Sequence, residues 1–209
     1  MAGVLLFLQR RAEQIMAMPA TQRRWTANEV RQLIGASPLA TPRLELVDGE
    51  LLVTPSPTWP HQRAVLLLAK ALEEYVESHP VGVVCVSPSD VELEPQTIVQ
   101  PDVFVVPAGE ADRLRRGSLP VREVLLAVEV LSPSSGRHDR VTKRQLYSRH
   151  VEEYWIVDLD ARIIERWRRG AERPEVIVST LEWQPAASAV AFRLDLPRYF
   201  AGLLGEGSA

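Results

Sequence analysis

The chain has 209 residues, 46% hydrophobic and 24% charged, which is the composition of an ordinary globular protein long enough to bury a real core. Its net charge of −3 excludes a generic polyanion binder, so any nucleic-acid contact must come from local basic patches. The single cysteine, Cys85, excludes an intramolecular disulfide and a thiolate zinc cluster, and no stretch approaches the roughly 18 apolar residues of a membrane span.

The opening MAGVLLFLQRR has an apolar core too short for a secretion signal, and its arginines follow that core instead of preceding it. We expect residues 1–19 to be a loose or mis-started tail, 20–200 a single domain and 201–209 a second tail, in a cytoplasmic protein. WTANEVRQLIG predicts a short helix, with Thr26 and Glu29 as a capping box and Gly35 near its end. LELVDGELLV predicts a β-hairpin turning at Asp48-Gly49. Its register puts Leu44, Leu46, Leu51 and Val53 on one face, expected to be core, and Glu45, Val47, Glu50 and Leu52 on the other. The proline-rich TPSPTWP then leads into HQRAVLLLAKALEEYVESH, an amphipathic helix whose stripe carries His61, Val65, Leu68, Leu72, Val76 and His79.

Strands are expected at about 81–93, 99–106 and 123–131, the last two separated by an arginine-bearing loop. RHDRVTKRQLYSRH reads as a helix, EYWIVDL and RIIERWRR as a second hairpin, and PEVIVS as one more strand. The order is mixed α/β: a central sheet flanked by two main helices, with a hairpin at the N-terminal end. Trp155 and Trp167 read as packing residues.

Two of these strands carry an anomaly. VQPDVFVV holds Asp102, and LLAVEVLS holds Glu129, inside nearly continuous apolar runs of the kind covered on both faces. An ionised carboxylate there is costly unless something pairs with it. The 24 basic residues include only two lysines, Lys70 and Lys143. A GC-rich genome accounts for the arginines, and a lysine kept against that drift suggests a place where guanidinium cannot substitute. Helical spacing puts Lys143 on one side with residues 139, 146, 147 and 150, partly toward the protein body. Two carboxylates and an ammonium converging in an apolar sheet make a site for a hard divalent cation, magnesium or manganese. A plainer reading stands beside it: Asp102 caps a turn, Glu129 pairs with an arginine, and Lys143 bridges to Asp139 on an exposed face.

Several segments in order resemble the Uma family, classed among bacterial restriction endonucleases within the PD-(D/E)xK nuclease superfamily. They are LELVDGEL, His61 after the proline-rich loop, SDVEL before QPDVFVV, AVEVLSPSS, DRVTKRQLY and EYWIVD, spanning roughly residues 20–170. The resemblance implies a restriction-endonuclease-like fold and hydrolysis of DNA phosphodiesters with Mg2+ or Mn2+, without a small-molecule cofactor. It matches Asp102 and Glu129 to the metal-binding acids and Lys143 to a lysine displaced onto the helix. His61, Asp90 and one of Glu45 or Glu50 match positions near the site. Two departures stand out: Leu131 occupies the usual place of the third-motif lysine, and His150 runs into Val151 where the family has a glycine. DNA backbone contacts would come from Arg115, Arg116, Arg137, Arg140 and Arg144, and a homodimer would cut both strands. The competing expectation is a nuclease-fold module that binds DNA or a protein partner without cutting. A glycosidase using paired carboxylates is disfavoured by the lack of an aromatic-lined sugar cleft.

Overall fold

A computed structural model of the chain describes residues 24–36, 43–54, 56–116, 120–132, 136, 138–185, 188 and 190–204. The expected tail at 1–19 lies outside them, as do residues 205–209 of the second tail and Arg137. Helix α1, Ala27–Ala36, starts where expected: the Thr26 amide donates to Glu29 Oε2 at 2.9 Å, and the Glu29 amide returns to Thr26 Oγ1 at 3.3 Å. Strands β1, Arg43–Val47, and β2, Glu50–Thr54, form the hairpin. Asp48 and Gly49 both take positive φ, 51° and 78°, the primed turn that matches strand twist.

Helix α2, Trp59–Ser78, begins with Pro60 in its first turn, where the missing N–H costs nothing. Then come β3, Gly82–Val86, and β4, Val103–Pro107, with α3, Ala108–Arg115, after them. Strand β5 spans Leu126–Val130, and a π-helical turn, His138–Lys143, runs directly into α4, Arg144–His150. Strands β6, Glu153–Asp158, β7, Ile163–Arg168, β8, Glu175–Ile177, β9, Thr180–Trp183, and β10, Phe192–Asp195, lead to the last helix, α5, Leu196–Leu204.

Six strands form one mixed sheet in the order β3-β4-β5-β6-β7-β8, parallel only between β5 and β6. On one face Val103, Val105, Val128 and Trp155 pack under Leu68 and Leu72 of α2, with β9, β10 and α5 completing the cover. On the other, Phe104, Ala127, Tyr154 and Ile156 meet Leu146 and Tyr147 of α4 and Val47 and Leu52 of the hairpin. Burial on both faces is why β4 and β5 read as unbroken apolar runs.

Three local expectations change. The strand expected at 81–93 ends at Val86, one residue before Ser87-Pro88, and beyond it the segment pairs through isolated bridges of Val91 with Val99 and Val121. The arginine-bearing loop contains α3. Its Glu110 is pinned by Arg113 at 2.6 Å and by the amides of Arg122 at 2.5 Å and Glu123 at 3.4 Å. The hairpin keeps its expected register, but Val53 on the supposed core face is 57% exposed. Its other face, with Glu45, Val47 and Leu52, is the one pressed against the sheet.

Candidate active site

Antiparallel pairing of Val103 with Val128 extends by one residue to set Asp102 opposite Glu129, on the sheet face shared with Phe104 and Ala127. Both carboxylates are 2% exposed. Their partners come from four other elements, which divide the site into two linked halves.

In the first half, Asp102 is held on three sides. Arg43 Nη1, from the start of β1, donates to Oδ1 at 2.7 Å. The Val130 amide donates to Oδ2 at 2.8 Å, and His61 Nε2, from the first turn of α2, lies 3.0 Å from the same oxygen. Burial alone would push this carboxyl up. The His61 hydrogen bond and charge, the Arg43 charge and the Val130 amide outweigh it and bring the pKa down to about 2. An ionised carboxylate only accepts, so His61 Nε2 carries the proton. Arg43 Nη1 also donates to Ser87 Oγ at 2.8 Å and to the Gln100 carbonyl at 3.3 Å.

In the second half, Lys143 is the hub. Its Nζ lies 2.8 Å from Glu45 Oε2, 2.9 Å from Glu129 Oε1 and 3.5 Å from Asp139 Oδ1. Tyr147, one turn further on, donates its hydroxyl to Glu129 Oε1 at 3.1 Å. The Gln100 amide donates to Glu45 Oε1 at 2.7 Å, and its side chain donates to Asp90 Oδ1 at 2.8 Å. Burial works against the Lys143 cation, but the charges of Glu129, Glu45 and Asp139 hold its pKa well above the ordinary value. Glu129 is raised as well: burial lifts it well above the carboxylate range, Lys143 lowers it, and Asp139, Asp102 and Glu45 raise it further.

The sequence-predicted residues therefore separate. Asp102, Glu129, Lys143, His61 and Glu45 come together, and Asp90 touches the site through Gln100. Glu50 is exposed on the hairpin and stays outside. The Lys143–Asp139 bridge of the plainer reading exists, but it is buried and shared with two further carboxylates instead of lying on an exposed face. Arg115 and Arg116 are exposed, Arg115 pairing with Asp112 at 2.6 Å. Arg140 is taken up by Asp158 at 2.9 Å and Glu165 at 2.7 Å, and Arg144 lies 4.8 Å over the Trp167 ring. Val151 closes the helix, its amide bonding Tyr147 O at 2.8 Å, while His150 Nε2 reaches Glu94 at 2.7 Å. Arg43, Gln100 and Tyr147 are the participants that sequence reasoning missed. For Arg43 the signal was there, since period-two alternation puts residues 43, 45 and 47 on one face of β1.

Among the described residues, no three His, Cys, Asp or Glu side chains gather around one point as ligands. The donor set nevertheless suits a hard divalent cation, which commonly takes one or two carboxylates and completes its shell with water and substrate oxygens. Four buried carboxylates, Glu45, Asp102, Glu129 and Asp139, face two permanent cations, Arg43 and Lys143. A divalent ion would favour the ionised form of Glu129, which burial and its acidic neighbours oppose.

Comparison with known proteins comes to the same fold. The sequence profile of the Uma2 family, described as "Putative restriction endonuclease", matches residues 28–197. Among solved structures, the chain is similar to one described as "a putative nuclease belonging to DUF820" from Anabaena variabilis ATCC 29413. The two share 16% identity with a TM-score of 0.71, over 86% of this chain and 99% of that one, a likeness of fold. No curated protein matches the chain.

Proposed function

This chain belongs to the Uma2 family, and on that premise we propose that it is a metal-dependent DNA endonuclease centred on Asp102, Glu129 and Lys143. The observation that carries the reading is the buried lysine among three carboxylates, set on the sheet face where Glu129 lies opposite Asp102. A folding core gains little from such an arrangement. Replacing buried ion pairs with apolar side chains is often neutral or stabilising, so a cluster this costly suggests chemistry.

Asp102 and Glu129 would hold the metal, magnesium or manganese, which when bound makes a water nucleophilic near neutral pH and neutralises phosphate charge. Lys143 keeps a compact positive charge beside Glu129 and would place it where charge builds up on the scissile phosphate. Tyr147 and Glu45 fix that ammonium and its carboxylate partner, and His61 fixes the orientation of Asp102. The substrate would be DNA, its backbone gripped by the exposed Arg115 and Arg116 and by Arg137, Arg140 and Arg144 of the sequence segment that carries Lys143. A second copy of the chain would supply the cut on the opposite strand.

One observation favours a second reading, a nuclease-fold module that binds DNA or a protein partner without cutting. As it stands, both Asp102 oxygens and the Lys143 ammonium are already engaged within the protein. Incubation of supercoiled plasmid with the protein in Mg2+ or Mn2+ separates the two. Nicking that stops with EDTA supports the endonuclease, and retarded DNA mobility without any strand breaks supports the module.

A further inference from the structure

Asp102 stands fully engaged. Oδ1 accepts from Arg43 at 2.7 Å, and Oδ2 accepts from the Val130 amide at 2.8 Å and His61 at 3.0 Å. The Val130 amide is fixed by the sheet and His61 by its helix. Arg43 is different, because it sits at the first residue of β1 on a long side chain that is 10% exposed. Its Nη1 serves Asp102, Ser87 and the Gln100 carbonyl, while among the described residues the buried Arg43 Nε has no hydrogen-bond partner. His61 Nδ1, also buried, lacks one too. Arg43 therefore holds Asp102 through a single nitrogen shared with two other acceptors, beside two buried polar atoms that need a partner they do not have among the described residues.

We propose that Arg43 is a latch: its guanidinium occupies the Asp102 oxygen a divalent cation needs, so metal enters only as Arg43 withdraws. The inference rests on the metal-binding reading given above. Arg43 acts through Asp102 and is a positioning residue. The withdrawn guanidinium, planar and always charged, suits an anionic phosphate oxygen of the substrate. The latch thus keeps the free protein poorly loaded with metal.

Calorimetric titration of the substrate-free protein with Mn2+ alone tests this. Arg43→Gln removes the latch and leaves Asp102 with Val130 and His61. It should bind Mn2+ about tenfold or more tightly than the parent, the scale of one displaced charge-assisted hydrogen bond. Arg43→Lys keeps the charge on a shorter reach, so it too should bind more tightly, whereas a general field effect would leave it like the parent. Thermal melts of both variants report on folding, and either folded variant is enough to decide the matter. Equal affinity in the parent and Arg43→Gln overturns the latch while leaving the metal reading intact, as does a Lys variant identical to the parent. No Mn2+ binding by any of the three proteins, even with duplex DNA present, overturns the latch and the metal reading together.

Discussion

Replacing Lys143 by methionine removes the one charge that Glu45, Glu129 and Asp139 share, at 2.8, 2.9 and 3.5 Å, while keeping a side chain of similar length. Lys143 is only 3% exposed, so water cannot take over for the lost ammonium. Breaking one buried pair by removing a partner costs about 3–5 kcal/mol, because the other charge is left buried alone. Here three carboxylates lose the cation they share, and protonation of Glu129, already held well above its ordinary range, returns part of the loss. We therefore expect the full 3–5 kcal/mol, about 6–20 °C in melting temperature for a domain of this size. Urea denaturation at neutral pH is the assay. Lys70→Met is its control: that lysine is exposed and 3.7 Å from an exposed Glu74, so its loss should stay within about 0.5 kcal/mol. Adding Glu129→Gln to Lys143→Met should restore part of the stability. A loss below about 1 kcal/mol for Lys143→Met would refute the buried-hub description, and with it the reason for assigning the lysine a role.

Lys143→Arg keeps the charge but adds bulk to a filled site, so it should cost about 1–3 kcal/mol and remove most cleavage, read by urea melts and plasmid nicking. Glu153 has its pKa raised to about 7, first by burial, with the Trp155 indole N–H at 2.8 Å opposing. A raised carboxyl favours folding below its unfolded value near 4.5 and loses that contribution as pH climbs through about 7. Glu153→Gln should flatten the decline, a difference on the order of 3 kcal/mol between pH 4 and pH 8 at most, measured by melts across that range. A Cβ on Gly82 would stand 2.0 Å from the Val106 carbonyl oxygen, a backbone atom in the neighbouring strand. Gly82→Ala should therefore cost about 2 kcal/mol or more, whereas Gly109→Ala in α3, with open space around it, should be neutral or stabilising.

The parts of this protein that can be read from its sequence are those in which one residue type breaks a strong local pattern. Asp102 and Glu129 interrupt apolar strands, Lys143 falls on the buried stripe of its helix, and His61 starts the apolar stripe of α2. The parts that cannot be read depend on contacts far along the chain. Arg43 looks like an ordinary strand-end cation until its partner 59 residues away is in place. Helix α3 has a polar sequence and is secured by Glu110 accepting amides from residues 122 and 123. Strands β9 and β10 and helix α5 are short, and their apolar residues make sense only once they cover α2. The π-helical turn at His138–Lys143 leaves no mark in a 3.6-residue pattern, yet it ends on the lysine itself. The hairpin face misleads for a similar reason: Leu46 and Val53 share a side, but only Leu46 is covered, by α1 and Ile98.

Catalysis separates the buried acids from a merely structural cluster. Glu129→Gln tests this most directly, because glutamine copies the protonated form that burial already favours and still accepts the Tyr147 hydroxyl. The measurement is the rate of Mg2+-dependent plasmid nicking, with stability determined on the same preparation. If Glu129 acts in the chemistry, the variant is folded and no less stable than the parent, with cleavage reduced by about a hundredfold or more. A folded Glu129→Gln protein that nicks at the parent rate would contradict that role.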